Sequence, residues 1–368
     1  MIKPMKSWNK ELNQIGNIIL EKERECLESL GRGLTSDNCD ERYPDQYFKE
    51  VGYNLWAGYE KNGVLVQYPH FEEYGGGSGG ELKDKSTPAK MKSIRSSSAM
   101  TYNLLGNKRI ELIRGTERLS EGTYDIEYEK QLYTIRKKSQ PANLDASLYK
   151  ENSQEAIFCE RKMMEWILNK PGFLKEAYSD AGNYFSNAAD DNKTTDAFLK
   201  AIEILKSEMP VLNSKGKQRN KAVKGLAQHF YRYDAWQMFK HTLGIYNMTT
   251  DITRKEISDL IEHTVAKNRR QIAEVPELHK VTLLNVVFEP SENLFTGELK
   301  EIYQRVKKLE RENFMQFRRA MVESGVVEAF DRDCHVDFDM QYMSAAQFMD
   351  CFDLGERKGF LERYRLGV

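Results

Sequence analysis

The fold is decided by the stretch Ala142-Asn-Leu-Asp-Ala-Ser-Leu-Tyr149, Lys150-Glu-Asn-Ser-Gln-Glu155, Ala156-Ile-Phe-Cys-Glu-Arg-Lys-Met163. Its first and last parts alternate apolar and polar residues, which is the period of a β-strand. The middle part is polar and contains Asn152-Ser153, residues that favour a turn. We therefore predict a β-hairpin centred on Asn152-Ser153, in which the residue numbers of each cross-strand pair add up to 305.

This register brings three charged residues together on one face. Asp145 lies directly opposite Glu160, and Lys162 follows two positions later on the same side. Side chains of cross-strand partners have Cβ atoms roughly 5 Å apart. The other face is apolar apart from Arg161, so we expect it to lie in the core and the acidic face to meet water. The apolar residues are Leu144, Ala146, Leu148, Ile157, Cys159 and Met163.

Two facing carboxylates destabilise a sheet unless a positive charge separates them. Hard oxygen ligands at this spacing suit Mg²⁺, or Mn²⁺ in its place, and such an ion also binds substrate phosphate. A bound ion lowers the pKa of a water molecule, and Lys162 is placed to orient that water or to stabilise the transition state. The sequence thus predicts Asp145 and Glu160 as metal ligands and Lys162 as a catalytic residue.

The surrounding patterns indicate an α/β protein with a mixed sheet. Glycines and prolines separate segments of helical and of strand-like periodicity. The predicted elements, in order, are a helix over 97–105, strands over 124–135, 142–149 and 156–163, a helix over 231–246 and a strand over 281–288.

Asp145, the segment Glu160-Arg-Lys162 and this order of elements resemble the PD-(D/E)xK nuclease superfamily. The resemblance covers about residues 95–290 and implies the restriction-endonuclease-like fold, with an α-β-β-β-α-β core. It also implies that Asp145 and Glu160 bind Mg²⁺ while Lys162 assists hydrolysis of a DNA phosphodiester bond. Two features depart from the family pattern. Leu144 stands where a proline is common, and the helical insertion, about 171–228, is long.

The same resemblance adds three candidate catalytic residues. Some superfamily members use a further carboxylate, for which Glu127 is a candidate, although alternation along its strand is equally consistent with exposure to water. Branches of the family use a Gln or Lys from the helix over 231–246. There, Gln237 and Lys240 share a polar stripe opposite an apolar one.

The overall charge gives no sign of a polyanion-binding protein. The 368 residues include 55 Lys and Arg against 56 Asp and Glu, a formal net charge of −1. A surface for DNA must therefore come from local clustering of cations. The strongest cluster contains Lys215, Lys217, Arg219, Lys221 and Lys224, which suit phosphate contacts but are equally typical of a solvated loop.

We divide the chain into three regions by composition. Residues 1–94 hold a helix, a hairpin turn at Asn62-Gly63 and a glycine-rich loop, 95–290 the nuclease-like core, and 291–368 a helical region. The five cysteines form no C-x-x-C pair, which favours reduced thiols and a cytoplasmic location. The sequence contains no apolar run long enough to span a membrane.

The leading functional hypothesis is a Mg²⁺-dependent DNA endonuclease of a restriction or defence system, acting as a homodimer. Two alternatives remain open. A non-catalytic nucleic-acid-binding or assembly protein could retain the same fold. His335, Asp337 and Asp339 could hold zinc on one face of a strand, or they could form the polar face of an edge strand.

Overall fold

The structure is a computed structural model of the chain. It describes residues 9–56, 60–61, 64–65, 74, 80–82, 84, 86–106, 108–136, 141–168, 174–185, 192–206, 233–250 and 277–367.

The described helices surround a central sheet. They are α1 (Asn9–Ser29), α2 (Ser97–Leu105), α3 (Glu165–Leu168), α4 (Lys193–Lys206), α5 (Tyr233–Thr249), α6 (Gly297–Ser324), α7 (Val326–Cys334), α8 (Ala345–Cys351) and α9 (Lys358–Leu361). Short 3₁₀ turns connect several of them. Within the described ranges, every helix is too short or too polar to cross a bilayer.

Two sheets are present in this part of the chain. The strands are β1 (Glu60–Lys61), β2 (Val64–Leu65), β3 (Arg109–Leu112), β4 (Gly122–Leu132), β5 (Ala142–Lys150), β6 (Glu155–Lys162), β7 (Lys280–Val287) and β8 (Asp337–Ser344). The first two pair antiparallel in a two-stranded sheet, and the other six form one sheet in chain order. Pairing is antiparallel from β3 to β6 and parallel from β6 to β8. The fold is thus a mixed α/β architecture.

Both faces of the large sheet are covered by hydrophobic clusters. Residues alternate between the clusters along β6, where Ile157 and Cys159 belong to one and Ala156 and Phe158 to the other. We name the first the front layer, which holds α1, α2 and the C-terminal helices α8 and α9. The second, the back layer, holds α4, α5 and α7. α6 contributes to both, the front through its N-terminal half and the back through its C-terminal half.

The predicted hairpin register is confirmed. Ala146 pairs with Cys159 and Leu148 with Ile157, so the paired residue numbers add up to 305. Asn152 in the turn has a φ of 54°, a conformation that Asn adopts more readily than most residues. The prediction that the acidic face meets water is wrong, because α5 packs over it and leaves Glu160 only 2% exposed.

The predicted elements are largely found, with small shifts. α2 spans the predicted residues, since Ser96 caps its N-terminus and Gly106 ends it with a φ of 75°. β3 was not predicted, because its four residues are too few to show a period. The sequence also predicts a strand over 53–59, and this is wrong in its first part, since Val51–Asn54 forms a 3₁₀ turn; the predicted turn at Asn62-Gly63 lies outside the described residues.

Candidate active site

The site lies on the back-layer face of the sheet, at the carboxyl end of β6. Glu160 and Lys162 alternate with Arg161, so both project toward α5 while Arg161 projects to the front layer. Both are nearly excluded from solvent, with side-chain exposures of 2% and 7%. The site is therefore a buried polar cluster rather than an open acidic surface.

The Glu160 carboxylate has protein donors on both oxygens. Oε1 accepts hydrogen bonds from the Lys162 ammonium and from Gln237 Nε2, the latter at 2.6 Å. Oε2 lies 2.9 Å from Nε2 of His241. Lys162 also donates to Gln237 Oε1 at 2.9 Å, which closes a ring among Glu160, Lys162 and Gln237.

The electrostatics of this ring favour the carboxylate. Burial opposes ionisation of Glu160, but Lys162 and the contact with His241 outweigh it and lower the pKa of Glu160 to about 2. Burial lowers the pKa of His241 against the opposing effect of Glu160. His241 is therefore neutral near pH 7, with its proton on Nε2 facing the carboxylate.

Asp145 stands beside this ring on β5. Its Oδ2 accepts the main-chain N–H of Arg161 at 2.5 Å. Burial of the carboxyl group and repulsion from Glu160 raise its pKa well above the ordinary range, while Lys162 acts in the opposite direction. The juxtaposition of two carboxyl groups and one ammonium, expected from the hairpin register, is thus present.

The remaining polar groups of the cluster lie on α5, on the stripe that was predicted to be polar. Gln237 joins the ring directly. Lys240 is half-buried, and its pKa is lowered by burial and by Lys162, against the effect of Glu160. Among the described residues its ammonium forms no hydrogen bond with Glu160, so its part in the cluster is electrostatic.

The structure does not bring Glu127 into this cluster. Its carboxylate pairs with Lys130 at 2.6 Å and keeps 41% of its side-chain surface exposed. The acid whose charge acts on Asp145 from the same strand is Glu129. Glu129 has a φ of 49° at the position opposite Asp145, and the strand pairing is interrupted there. The alternation of apolar and polar residues along β4 does not reveal this irregularity.

Two functional candidates were missed by sequence reasoning. His241 lies one turn after Gln237 on the same stripe, and this spacing is the feature of the sequence that could have identified it. Asn285 is the strand neighbour of Glu160 on β7 and is 1% exposed. No local pattern in the sequence predicts the register between β6 and β7, because parallel pairing joins residues far apart in the chain.

The proposed basic surface cannot be located. Lys215, Lys217, Arg219, Lys221 and Lys224 lie outside the described residues.

The alternative zinc site has no support in the geometry. His335 follows the end of α7 in the left-handed conformation, while Asp337 pairs with Arg118 at 2.9 Å and Asp339 with Arg318 at 2.7 Å. β8 is an edge strand whose acids are neutralised by arginines.

Comparison of this chain with known proteins identifies no relatives. No family model, curated protein or solved structure matches this chain. The function is therefore inferred from the geometry of the site.

The donor set fits a hard divalent cation. Asp145 and Glu160 provide carboxylate oxygens, although the described residues contain no group of three or more His, Cys, Asp or Glu placed to hold a metal. Two buried atoms beside Glu160, Oδ1 of Asn285 and Nδ1 of His241, have no hydrogen-bond partner among the described residues. Such atoms are uncommon in native proteins and point to a missing water, ion or ligand.

Proposed function

We propose that the protein is a metal-dependent nuclease that hydrolyses DNA phosphodiester bonds, with Mg²⁺, or Mn²⁺ in its place, held by Asp145 and Glu160. The observation that carries this proposal is the convergence of Asp145, Glu160 and Lys162 through the register of β5 and β6. The resemblance to the PD-(D/E)xK superfamily and its restriction-endonuclease-like core agrees with the order α2, β4, β5, β6, α5, β7.

The chemistry divides between the metal and the protein. A bound divalent ion supplies an acidified water and offsets the charge that develops on the phosphoryl group. The Lys162 ammonium, held by Glu160 and Gln237, is the protein's own donor for the attacking water or a phosphoryl oxygen. Gln237 and His241 fix the orientation of the Glu160 carboxylate from the opposite side.

The raised pKa of Asp145 supports a cation at this position. Repulsion from Glu160 favours the protonated form of Asp145, and a divalent ion between the two carboxylates would remove that preference. The expected homodimer, a restriction or defence role and a cytoplasmic setting follow from the family resemblance and belong to the same proposal.

One observation favours a second function, a non-catalytic nucleic-acid-binding or assembly protein. Both oxygens of Glu160 already accept hydrogen bonds from protein donors, and the ring is buried. A cluster satisfied in this way can serve fold stability alone. On this alternative, the site neither binds metal nor turns over DNA.

Cleavage of supercoiled plasmid with and without Mg²⁺ separates the two functions. We expect the wild-type chain to nick or cut DNA only with the metal, and Asp145→Asn and Lys162→Ala to lose at least about 100-fold of that rate. Asp125→Asn is the matched control, since Asp125 is an exposed acid on β4 paired with Arg109. Salt-sensitive DNA binding with equal inactivity of all four proteins would establish the non-catalytic alternative.

A further inference from the structure

Asn285 borders the candidate active site from β7. In the parallel register it lies directly beside Glu160 of β6. Its chain neighbours Leu284 and Val286 belong to the front layer, so the Asn285 side chain projects from the back-layer face, as Glu160 does. Neighbouring strands lie about 4.8 Å apart, a distance at which two side chains on one face can share a ligand. Asn285 therefore flanks Glu160 on the side away from Asp145.

The amide oxygen of Asn285 is a buried acceptor without a donor. The residue is 1% exposed, and Oδ1 has no hydrogen-bond partner among the described residues. Such atoms are uncommon and unfavourable in native proteins. Asn54, which is similarly buried, shows the usual pattern, because it donates to the carbonyl oxygens of Met91 and Ser93 and accepts from Arg363. The unpaired oxygen of Asn285 thus points to a bound group.

The polar atoms around this oxygen are mainly acceptors. On one side Glu160 is itself an acceptor, and on the other the Tyr342 hydroxyl donates to Glu289 at 2.7 Å. Nδ1 of His241 is a second buried acceptor without a partner in the described part of the chain, since the proton of the ring lies on Nε2. This excess of acceptors beside Asn285 favours a cation over an anion.

Both candidate metal ligands keep an acceptor position for such a cation. Oε2 of Glu160 has one partner, Nε2 of His241, and a carboxylate oxygen carries two lone pairs. Oδ2 of Asp145 accepts the main-chain N–H of Arg161, while its Oδ1 accepts no hydrogen bond from the described residues. Asp145, Glu160 and Asn285 belong to the adjacent strands β5, β6 and β7, so their oxygens form a row across the sheet.

We propose that Oδ1 of Asn285 is a third protein ligand of the divalent cation held by Asp145 and Glu160. This inference rests on the metal site of the proposed function and adds a neutral oxygen to its two carboxylates. The described residues contain no cluster of three His, Cys, Asp or Glu, so a third side-chain ligand comes from another residue type. Hard cations bind carboxylate and amide oxygens and fill their remaining positions with water.

Calorimetric titration of the full chain with MgCl₂, without DNA, tests this ligand. Asn285→Leu is similar in size and removes the amide oxygen, and we expect it to weaken Mg²⁺ binding at least about tenfold. In EDTA its Tm should equal or exceed that of the wild type, because an unpaired buried polar group has been removed. A loss of binding at an unchanged Tm would separate the loss of a ligand from a loss of folding.

Asn285→Asp gives the opposite expectation. It keeps the shape of the side chain and replaces the amide oxygen with a carboxylate, and affinity for hard cations depends on the charge of the ligands. We expect this variant to bind Mg²⁺ at least as tightly as the wild type and to gain more in Tm when Mg²⁺ is added.

Thr282→Val is the matched control on the same strand. Thr282 is buried on the front-layer face of β7, where its hydroxyl donates to the carbonyl oxygen of Arg118. This variant loses a buried polar group away from the site and should bind Mg²⁺ as the wild type does.

Equal Mg²⁺ affinity of the wild type and Asn285→Leu would overturn the proposal. Weaker binding by Asn285→Asp than by the wild type would also overturn it, and this result decides the question where Asn285→Leu does not fold. In either case, a loss of affinity in Asp145→Asn would leave the metal site of the proposed function in place. An absence of Mg²⁺ binding to the wild type would overturn both the third ligand and the metal site.

Discussion

Asp145 and Glu160 sit on neighbouring strands, yet the pKa values of their carboxyl groups are shifted in opposite directions. Lys162 and His241 hold Glu160 in its ionised form, whereas Asp145 receives one main-chain N–H and faces the charge of Glu160. The pair therefore carries one negative charge more readily than two. Because of this asymmetry, the pH dependence of the free energy of unfolding reflects the ionisation of these two carboxyl groups.

Asp145→Asn should become more stable than the wild type as the pH rises. A carboxyl group with a raised pKa in the folded state contributes stability at low pH and loses it as the pH rises through that pKa. Asn cannot ionise, and its amide oxygen can still accept the Arg161 N–H. Urea unfolding in EDTA at about pH 5 and about pH 8 measures the difference. A constant difference, equal to that of Asp125→Asn, would contradict this prediction.

Glu160→Gln should lose less unfolding free energy than the wild type as the pH falls below about 4.5. The folded-state pKa of about 2 lies below the ordinary 4.5, so the stabilisation is present above about pH 4.5 and lost as the pH falls toward 2. The shift corresponds to about 3 kcal/mol. Unfolding free energies at about pH 5 and about pH 2.5 test it, with exposed Glu25→Gln as control. An equally steep loss in Glu160→Gln would contradict the assignment.

At the scale of the elements, α5 determines whether Gln237 and His241 reach the sheet. Gly244 lets the helix approach β4 closely, since a Cβ at this position would lie 2.5 Å from the Cβ of Leu132. Gln237, His241 and Gly244 lie on one stripe, so the close approach at the glycine positions the two polar residues over β6.

Gly244→Ala should move α5 away from the sheet. We expect a loss of roughly 1–3 kcal/mol of unfolding free energy, typical of overpacking, together with reduced Mg²⁺-dependent cleavage. Gly359→Ala is the matched control, because this helical glycine of α9 has open space around its Cβ position. Chemical denaturation and plasmid cleavage measure the two effects. Unchanged stability and activity in Gly244→Ala would show that the helix does not need this approach.

The sequence predicted the hairpin well for a physical reason. Strand alternation and the Asn152-Ser153 turn are local, and together they fixed which residues of β5 and β6 face each other. The packing of α5 over Glu160 could not be predicted in the same way. A polar stripe on α5 is consistent with either water or a buried polar partner, and only tertiary packing decides between them.

Long-range partners were likewise absent from local patterns. Asn285 reaches Glu160 only through the parallel pairing of β6 with β7, and β3 is too short to show a period. Arg161 was recognised as the one charged residue on an apolar face, but its stacking on Phe348 required α8 to be placed.

At the scale of the whole molecule, the N-terminal helix and the C-terminal segment are joined by a buried ion pair. Glu23 of α1 and Arg363 are both fully buried and 2.9 Å apart. Asn54 and the carbonyl of Ile94 complete the hydrogen bonding of the guanidinium. The three sequence regions 1–94, 95–290 and 291–368 all contribute residues to the front layer.

Glu23→Ala should therefore destabilise the whole chain. Removing the acid leaves the Arg363 charge buried with neutral partners only, at a cost of about 3–5 kcal/mol. Glu25→Ala, on the same helix but in an exposed pair with Lys22, should cost less than about 0.5 kcal/mol. Urea unfolding compares them. Equal effects of the two variants would contradict the role given to the buried pair.

Magnesium binding to the free protein tests the central claim most directly. Isothermal titration with MgCl₂, without DNA, should show one ion per chain in the wild type and in Asp125→Asn. Asp145→Asn removes one of the two carboxylates and should weaken this affinity at least about tenfold. An absence of binding to the wild type, or the same affinity in Asp145→Asn, would contradict the proposal that Asp145 and Glu160 hold the metal.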